Sequence, residues 1–210
     1  MQKELSKSVL RRLPVYLEYL KAMPEDAPVN ISATALAGAL GMGEVQVRKD
    51  LAMVSDGGRP KVGYNRQRLI RDIEQSLGYD NTNDAVLVGS GRLGRALLGY
   101  TGFAEYGLNI LCGFDIDADL IGVTKTGKLV RPIADLESFC KDRNVLMGII
   151  TVPAENAQDI CNQMIACGIR AIWNFAPTHI NLPHGVLIKN ENLAASLAVL
   201  SYELSRKNQK

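Results

Sequence analysis

The chain holds 210 residues, 47% of them hydrophobic and 22% charged, with a formal net charge of +2. This is ordinary globular composition, with apolar material for one medium core or two small ones, and it excludes a chain that is disordered over most of its length. No apolar run approaches the roughly 20 residues of a bilayer span, and the first dozen residues are polar and basic, so no membrane contact and a cytoplasmic location are expected.

Charge is unevenly placed. Residues 1–71 carry twelve Lys and Arg against seven Asp and Glu, a local +5, and the other 139 residues carry −3. The basic end is where a polyanion would bind. In chain order, Leu13, Tyr16, Leu17 and Leu20 share one face of a first helix, in which Pro14 is placed in the first turn, where proline is tolerated. A second helix starts at the N-cap Ser32, runs along Leu36 and Leu40 and stops at Gly41-Met42-Gly43. A third covers Glu44 to about Val54, with Val45, Leu51 and Val54 inward and Gln46, Arg48, Lys49 and Asp50 on a polar reading face. Two short helices joined by a glycine-containing turn form a helix-turn-helix, whose second member enters a major groove.

Residues Ser55 to Asn65 hold three glycines, Pro60, Arg59 and Lys61. They suit a tight β-ribbon with cations at its tip, a wing for phosphate or minor-groove contact. Arg66 to Leu77 is a further helix, stopped by Gly78. The turn-forming stretch Gly78 to Asn83 is read as a linker. The expected division is 1–78 for a winged-helix DNA-binding domain, 79–190 for a nucleotide-binding domain and 191–210 for a C-terminal helix.

After the linker, strands and helices alternate. An apolar strand from Asp84 runs into Gly89-Ser90-Gly91-Arg92-Leu93-Gly94 and then an apolar helix, and a second strand, Leu108 to Phe114, ends at Asp115. That context turns a weak GxGxxG match into a dinucleotide fingerprint. Gly89 permits the turn, Gly91 lets backbone approach a pyrophosphate, and Gly94 lets helix close on strand. Asp115, 21 residues after Gly94, suits the free ribose hydroxyls of NAD(H) and disfavours NADP and CoA. Strands Val145 to Thr151 and Ile169 to Phe175 flank a helix over Ala154 to Cys167, and their carboxyl ends bring Thr151, Val152, Pro153, Asn174 and Phe175 toward the nicotinamide half. The fold class is α/β, an N-terminal winged helix-turn-helix followed by a Rossmann-type doubly wound parallel sheet.

No catalytic residue and no metal site is expected. The two histidines, His179 and His184, sit in one Pro-rich loop without a carboxylate partner at a telling spacing, and there is no Tyr-xxx-Lys, HExxH or substrate domain. The four cysteines, Cys112, Cys140, Cys161 and Cys167, form no CxxC pair and read as buried reduced thiols. A regulator that binds NAD(H) without turning it over is the leading reading. The alternatives are a small NAD-dependent oxidoreductase, or a repressor that holds NAD(H) structurally and answers another signal.

These segments, with Arg11-Arg12-Leu13-Pro14, Val47-Arg48-Lys49-Asp50-Leu51, Val62-Gly63-Tyr64-Asn65, Phe114-Asp115, Thr151-Val152-Pro153-Ala154, Asn174-Phe175, Asn181-Leu182-Pro183 and Leu200-Ser201-Tyr202, resemble the Rex family of bacterial redox-sensing repressors from about Ser6 to Leu204. The resemblance implies a homodimer on palindromic double-stranded DNA operators of fermentation and respiration genes, released by NADH, with a C-terminal helix from about Glu191 to Lys207 swapped between subunits. It places Arg48 and Lys49 in the major groove and Arg59 and Lys61 on the wing; Ser32, Gln46 and Tyr64 complete the DNA-facing set. It adds Tyr100 to the cofactor site, and Arg12, Glu191, Asn192 and Tyr202 to the coupling between domains. Two departures stand out: Asn192 where the family has an ion-pairing aspartate, and Ala176 where it has a threonine.

Overall fold

Helix α1 (Lys7–Ala22) starts at Ser6, whose hydroxyl accepts the Val9 N–H at 3.4 Å, in a structure that is a computed structural model describing residues 4–207. Val9, Leu13, Tyr16, Leu17 and Leu20 form its buried stripe. Because the helix begins at Lys7, Pro14 lies in its interior and not in the first turn; the cap at Ser6 precedes the apolar stripe from which the start was read. An interior proline removes one helical hydrogen bond at about 3 kcal/mol. Burial of the stripe, at about 1.5–3 kcal/mol per large side chain, offsets it.

Helix α2 (Ala33–Leu40) is capped by Ser32, whose Oγ accepts the Ala35 N–H at 3.0 Å, and ends at Gly41 with φ +63°. Helix α3 (Glu44–Val54) buries Val47, Asp50 and Leu51, whereas Val45 is 63% exposed. The inward face is therefore rotated from the one the apolar pattern suggested. Asp50, read as part of the polar face, goes inside because α1 supplies its partners, which apolar periodicity does not reveal.

Strands β1 (Asn30–Ile31) and β2 (Tyr64–Asn65) pair antiparallel. Between α3 and β2 the wing is a small closed turn, with Arg59 N–H on Gly63 O at 3.0 Å, Gly63 N–H on Arg59 O at 2.9 Å, and Lys61 left-handed at its tip. Helix α4 (Arg66–Leu77), capped by the Asn65 side chain and closed by left-handed Gly78, returns its buried Leu69, Ile70 and Ile73 to the same core. The described chain divides into two compact units after Asn81.

The second unit is built on strands β3 (Asn83–Val88), β4 (Leu108–Asp115), β5 (Gly122–Val123), β6 (Leu129–Pro132), β7 (Met147–Ile150), β8 (Ala171–Asn174) and β9 (Leu187–Asn190). Their order is β5-β6-β4-β3-β7-β8-β9, all parallel except the edge pair β5·β6. Alternate side chains of β3 feed opposite cores. Val86 and Val88 meet helices α6 (Leu136–Arg143) and α7 (Ala154–Ala166), while Ala85 and Leu87 join the cluster of Leu98 from α5 (Arg92–Leu98). From β3 the chain winds one way to β4 and β6, then returns to β7 and β8. The sheet's direction therefore reverses between β3 and β7, the switch point where such sheets bind ligands.

All four cysteines are free and buried, and burial pushes the Cys112 thiol up to about 11 and the Cys140 thiol up to about 12. The folded state holds these protons more tightly, so stability linked to them is lost as pH rises toward 11, not as it falls. A thiol reagent near neutral pH should label none of the four in the native chain and all of them in concentrated guanidinium; fast native labelling would contradict this burial.

Helix α8 (Leu193–Lys207) closes the described chain, and Leu197, Val199, Leu200, Tyr202 and Leu204 along it are each about 60% exposed.

Candidate functional site

At the carboxyl end of β3 three glycines face three different constraints. Gly89 turns with φ +99°, and a Cβ there would fall 2.8 Å from the Thr151 backbone carbon. A Cβ on Gly94 would lie 1.9 Å from Gly89 O, so α5 sits against the turn at a distance only glycine allows. A Cβ on Gly91 would meet nothing within 4 Å, so this glycine guards open space. Thr151, just past β7, ties the turn across the switch point, its hydroxyl donating to Gly89 O at 2.6 Å.

Asp115 ends β4 beside the turn. Its Oδ2 accepts the Ser90 N–H at 2.5 Å and its Oδ1 the Asp117 N–H at 3.0 Å, which fixes the carboxylate while leaving each oxygen a further lone pair. A cleft of about 390 Å³ opens here, lined by Gly89, Gly91, Asp115, Thr151, Val152 and Pro153. Its wall also includes Ile116, Leu120, Ile133, Asn156 and Gln163, which the sequence reading missed. The signal was faint: apolar residues after Asp115, one of them, Ile116, 80% exposed.

The remaining residues assigned to this site do not line the cleft. Ser90 is fully buried and contributes its backbone N–H; Arg92 and Leu93 are exposed on the first turn of α5. Asn174 does not line the cleft. It is fully buried, its Nδ2 donating to Asn190 Oδ1 at 2.9 Å and its Oδ1 accepting the Ala176 N–H at 2.9 Å, so its amide braces the chain after β8. Tyr100, Phe103, Trp173 and Phe175 form a chain of ring contacts with centroid spacings of 4.9, 5.6 and 4.8 Å, the first two edge-to-face and the last tilted. Tyr100 is its exposed end. Trp173 Nε1 donates to Glu191 Oε1 at 2.9 Å, and Asn192 Oδ1 accepts the Ala195 N–H at 2.9 Å, the bond of a helix N-cap at the start of α8. Asn192 thus does locally what an aspartate would do. Tyr202 is exposed on α8 near Arg206.

On the first unit, Ser32, Arg48, Arg59, Lys61 and Tyr64 line one surface depression of about 460 Å³, and Gln46 and Lys49 line a neighbouring one with Arg12. Arg48 is paired with Glu44 one turn earlier, an exposed contact of little strength. Tyr64 is only 9% exposed; its ring underlies the wing, and a Cβ on Gly58 would fall 2.6 Å from its Cζ, so Tyr64 supports this surface more than it faces outward. Burial raises its phenol above the usual range. Arg12 lies inside this unit's own network: Nε and Nη2 grip Asp50 at 2.7 and 2.8 Å, and Tyr16 Oη donates to the same carboxylate at 2.8 Å. Among the described residues no group of three His, Cys, Asp or Glu side chains could hold a metal ion.

Residues 80–178 match a family profile described as a CoA binding domain, and residues 4–52 match one described as the N-terminus of a putative DNA-binding protein. The chain is 36% identical over 204 residues to the redox-sensing transcriptional repressor Rex of Clostridium novyi, covering 97% of each. Among solved structures it is similar to RSP in complex with beta-NAD+ and operator DNA, with 32% identity, a TM-score of 0.90, and 99% and 95% of the two chains covered. RSP in complex with beta-NADH gives a TM-score of 0.88 at the same identity, with 99% and 97% covered. Identity of this extent, over both units at once, shows that the chain belongs to the Rex family of redox-sensing transcriptional repressors.

Proposed function

We propose that the protein is a cytoplasmic, NADH-responsive transcriptional repressor, not an enzyme, that binds palindromic operators as a homodimer and leaves them when NADH occupies the second unit. The observation that carries the reading is the pairing, in one chain, of the basic α3-and-wing surface with the Gly91 opening beside Asp115. The resemblance to RSP bound to NAD+ with operator DNA, and to RSP bound to NADH, supplies the sense of the response.

The residues fit the dinucleotide. Open space at Gly91 would admit a pyrophosphate to the backbone, and Asp115, with a lone pair left on each oxygen, would accept from two ribose hydroxyls. The same carboxylate opposes the ribose phosphate of NADP or CoA, so the profile's CoA label describes a shared fold. When bound, the nicotinamide carries a positive charge as NAD+ and none as NADH, and only a difference in affinity between the two protein states can move the equilibrium. Exchanging Asp115 for Asn should weaken NADH binding about tenfold and narrow its preference over NADPH, measured by fluorescence titration; unchanged selectivity would remove Asp115 from the ribose site.

In this reading residues 1–78 bind DNA, 79–190 bind NAD(H), and 191–210 carry a helix that swaps between subunits. The exposed apolar side chains of α8 support the swap, and no described helix is long and apolar enough to cross a membrane. Arg48, Lys49, Arg59 and Lys61 would meet DNA, while Arg12, Glu191, Asn192, Tyr202 and Tyr100 would link nucleotide state to DNA release. An anisotropy titration on a palindromic operator at fixed salt tests it. NADH should release the DNA and NAD+ should not; equal binding with both would refute the gating.

A further inference from the structure

Helix α3 sends Val47, Asp50 and Leu51 into the core. With about 3.6 residues per turn, the face opposite them carries Val45, with Arg48 and Lys49 beside it one turn further on. Val45 is 63% exposed, and both cations are exposed with it. An isolated apolar side chain on a protein surface needs no explanation in itself. This one stands in the first turn of the helix that a helix-turn-helix lays in the major groove, and the N-terminal residues of such a helix are the ones that reach base edges. It also lines the depression shared by Arg12, Gln46 and Lys49, the apolar member of a lining otherwise made of Gly43 and polar or charged residues.

Resting on the operator-binding reading above, we infer that Val45 is a specificity-determining residue that recognises the C5-methyl group of a thymine in each half-site. In the major groove the base edges offer hydrogen-bond donors, acceptors and one apolar group, the thymine methyl. Valine has no side-chain hydrogen-bonding group, so pressing it against any other part of an edge strips water from a donor or acceptor and puts nothing in its place. Against the methyl both partners lose only apolar exposure, which is favourable. Such a contact is short-ranged, and Arg48 and Lys49, held on phosphate or guanine, keep the helix close enough to make it. The cations give α3 its affinity and Val45 adds a discrimination that no charge can supply.

Selection from a randomised duplex library at fixed salt identifies the site that the full chain binds. Each thymine of that site is then exchanged in turn for uracil, which pairs identically and lacks only the methyl group, and binding is followed by anisotropy. Uracil at one position should weaken the wild-type chain about fourfold per half-site, and about fifteenfold when both half-sites are changed, the effect of one methyl group taken out of an apolar contact. Val45→Ala should bind the thymine site more weakly by about the same factor and respond no further to uracil there, while its salt dependence stays that of wild type because no phosphate contact is touched. Alanine is the better helix former and Val45 is exposed, so the thermal midpoint of the variant should not fall. Duplexes with cytosine or 5-methylcytosine at the same position separate the methyl group from the hydrogen-bonding pattern: wild type should prefer the methylated duplex, and Val45→Ala should prefer neither. A wild-type chain indifferent to uracil at every thymine, or a uracil effect of undiminished size in Val45→Ala, would overturn the inference. Failure of the wild-type chain to enrich any sequence would instead refute the operator reading beneath it, and the inference with it.

Discussion

Exchanging Gly91 for alanine should lower NADH affinity about 100-fold, close to 2.7 kcal/mol, while leaving the thermal midpoint of the chain unchanged. Gly91 has φ −66° and ψ −161°, a conformation open to any residue, and a Cβ there would meet no atom within 4 Å. The methyl group costs the free protein nothing and occupies the space a pyrophosphate needs. Gly94→Ala makes the contrast. Its Cβ would sit 1.9 Å from Gly89 O, so both binding and the melting temperature should fall. Calorimetric titration beside a melting curve separates the two. A Gly91→Ala variant that binds NADH at wild-type strength would place the nucleotide elsewhere.

The second large effect belongs to the first unit. Asp50→Asn should destabilise it by about 3 kcal/mol, because an amide on this buried site loses the charge-assisted bonds on which Arg12 and Tyr16 converge and turns a donor toward their donors. For a domain of this size that lowers the midpoint by more than about 10 °C. Asp50 is buried and Arg12 mostly so, and the carboxylate holds the guanidinium's pKa above its ordinary value. Burial and the bond to Asp50 push the Tyr16 phenol up to about 12, so the network holds together into alkaline solution and weakens only as pH climbs toward that value. The partly exposed pair Lys21–Glu74 in the same unit is the control: Glu74→Gln should cost no more than about 1 kcal/mol. Loss of helical circular dichroism on heating reports both. A melting curve for Asp50→Asn that overlays the wild type would show the pair to be structurally idle.

The nucleotide turn was legible because its constraints are local. A glycine is needed where φ is positive, at Gly89, and where two backbones nearly touch, at Gly94, and both needs leave their mark at fixed spacing in the chain. Asp115 was legible for the same reason, since one strand, one turn and one helix set its distance from the glycines. The rest of the cleft wall was not. Ile133, Asn156 and Gln163 come from segments far along the chain, brought there by the sheet order alone. The wing's turn residues announced a turn, but the strand they serve pairs with the two-residue β1, too short to carry any period.

Asp50 and Asn174 show where pattern misleads. Each is a polar residue that a one-dimensional reading sends outward or toward a ligand, and each is buried because a distant group satisfies it: Arg12 and Tyr16 for one, Asn190 and the backbone of Ala176 for the other. What the amino-acid order settled unaided was therefore the short-range physics: caps, glycine turns, strand-helix alternation, and the excess of positive charge on one unit. What needed the tertiary structure was every partner choice across long sequence separation. Burial of a polar group is favourable only if its hydrogen bonds are met, and the residue that meets them is selected by packing, not by position in the chain.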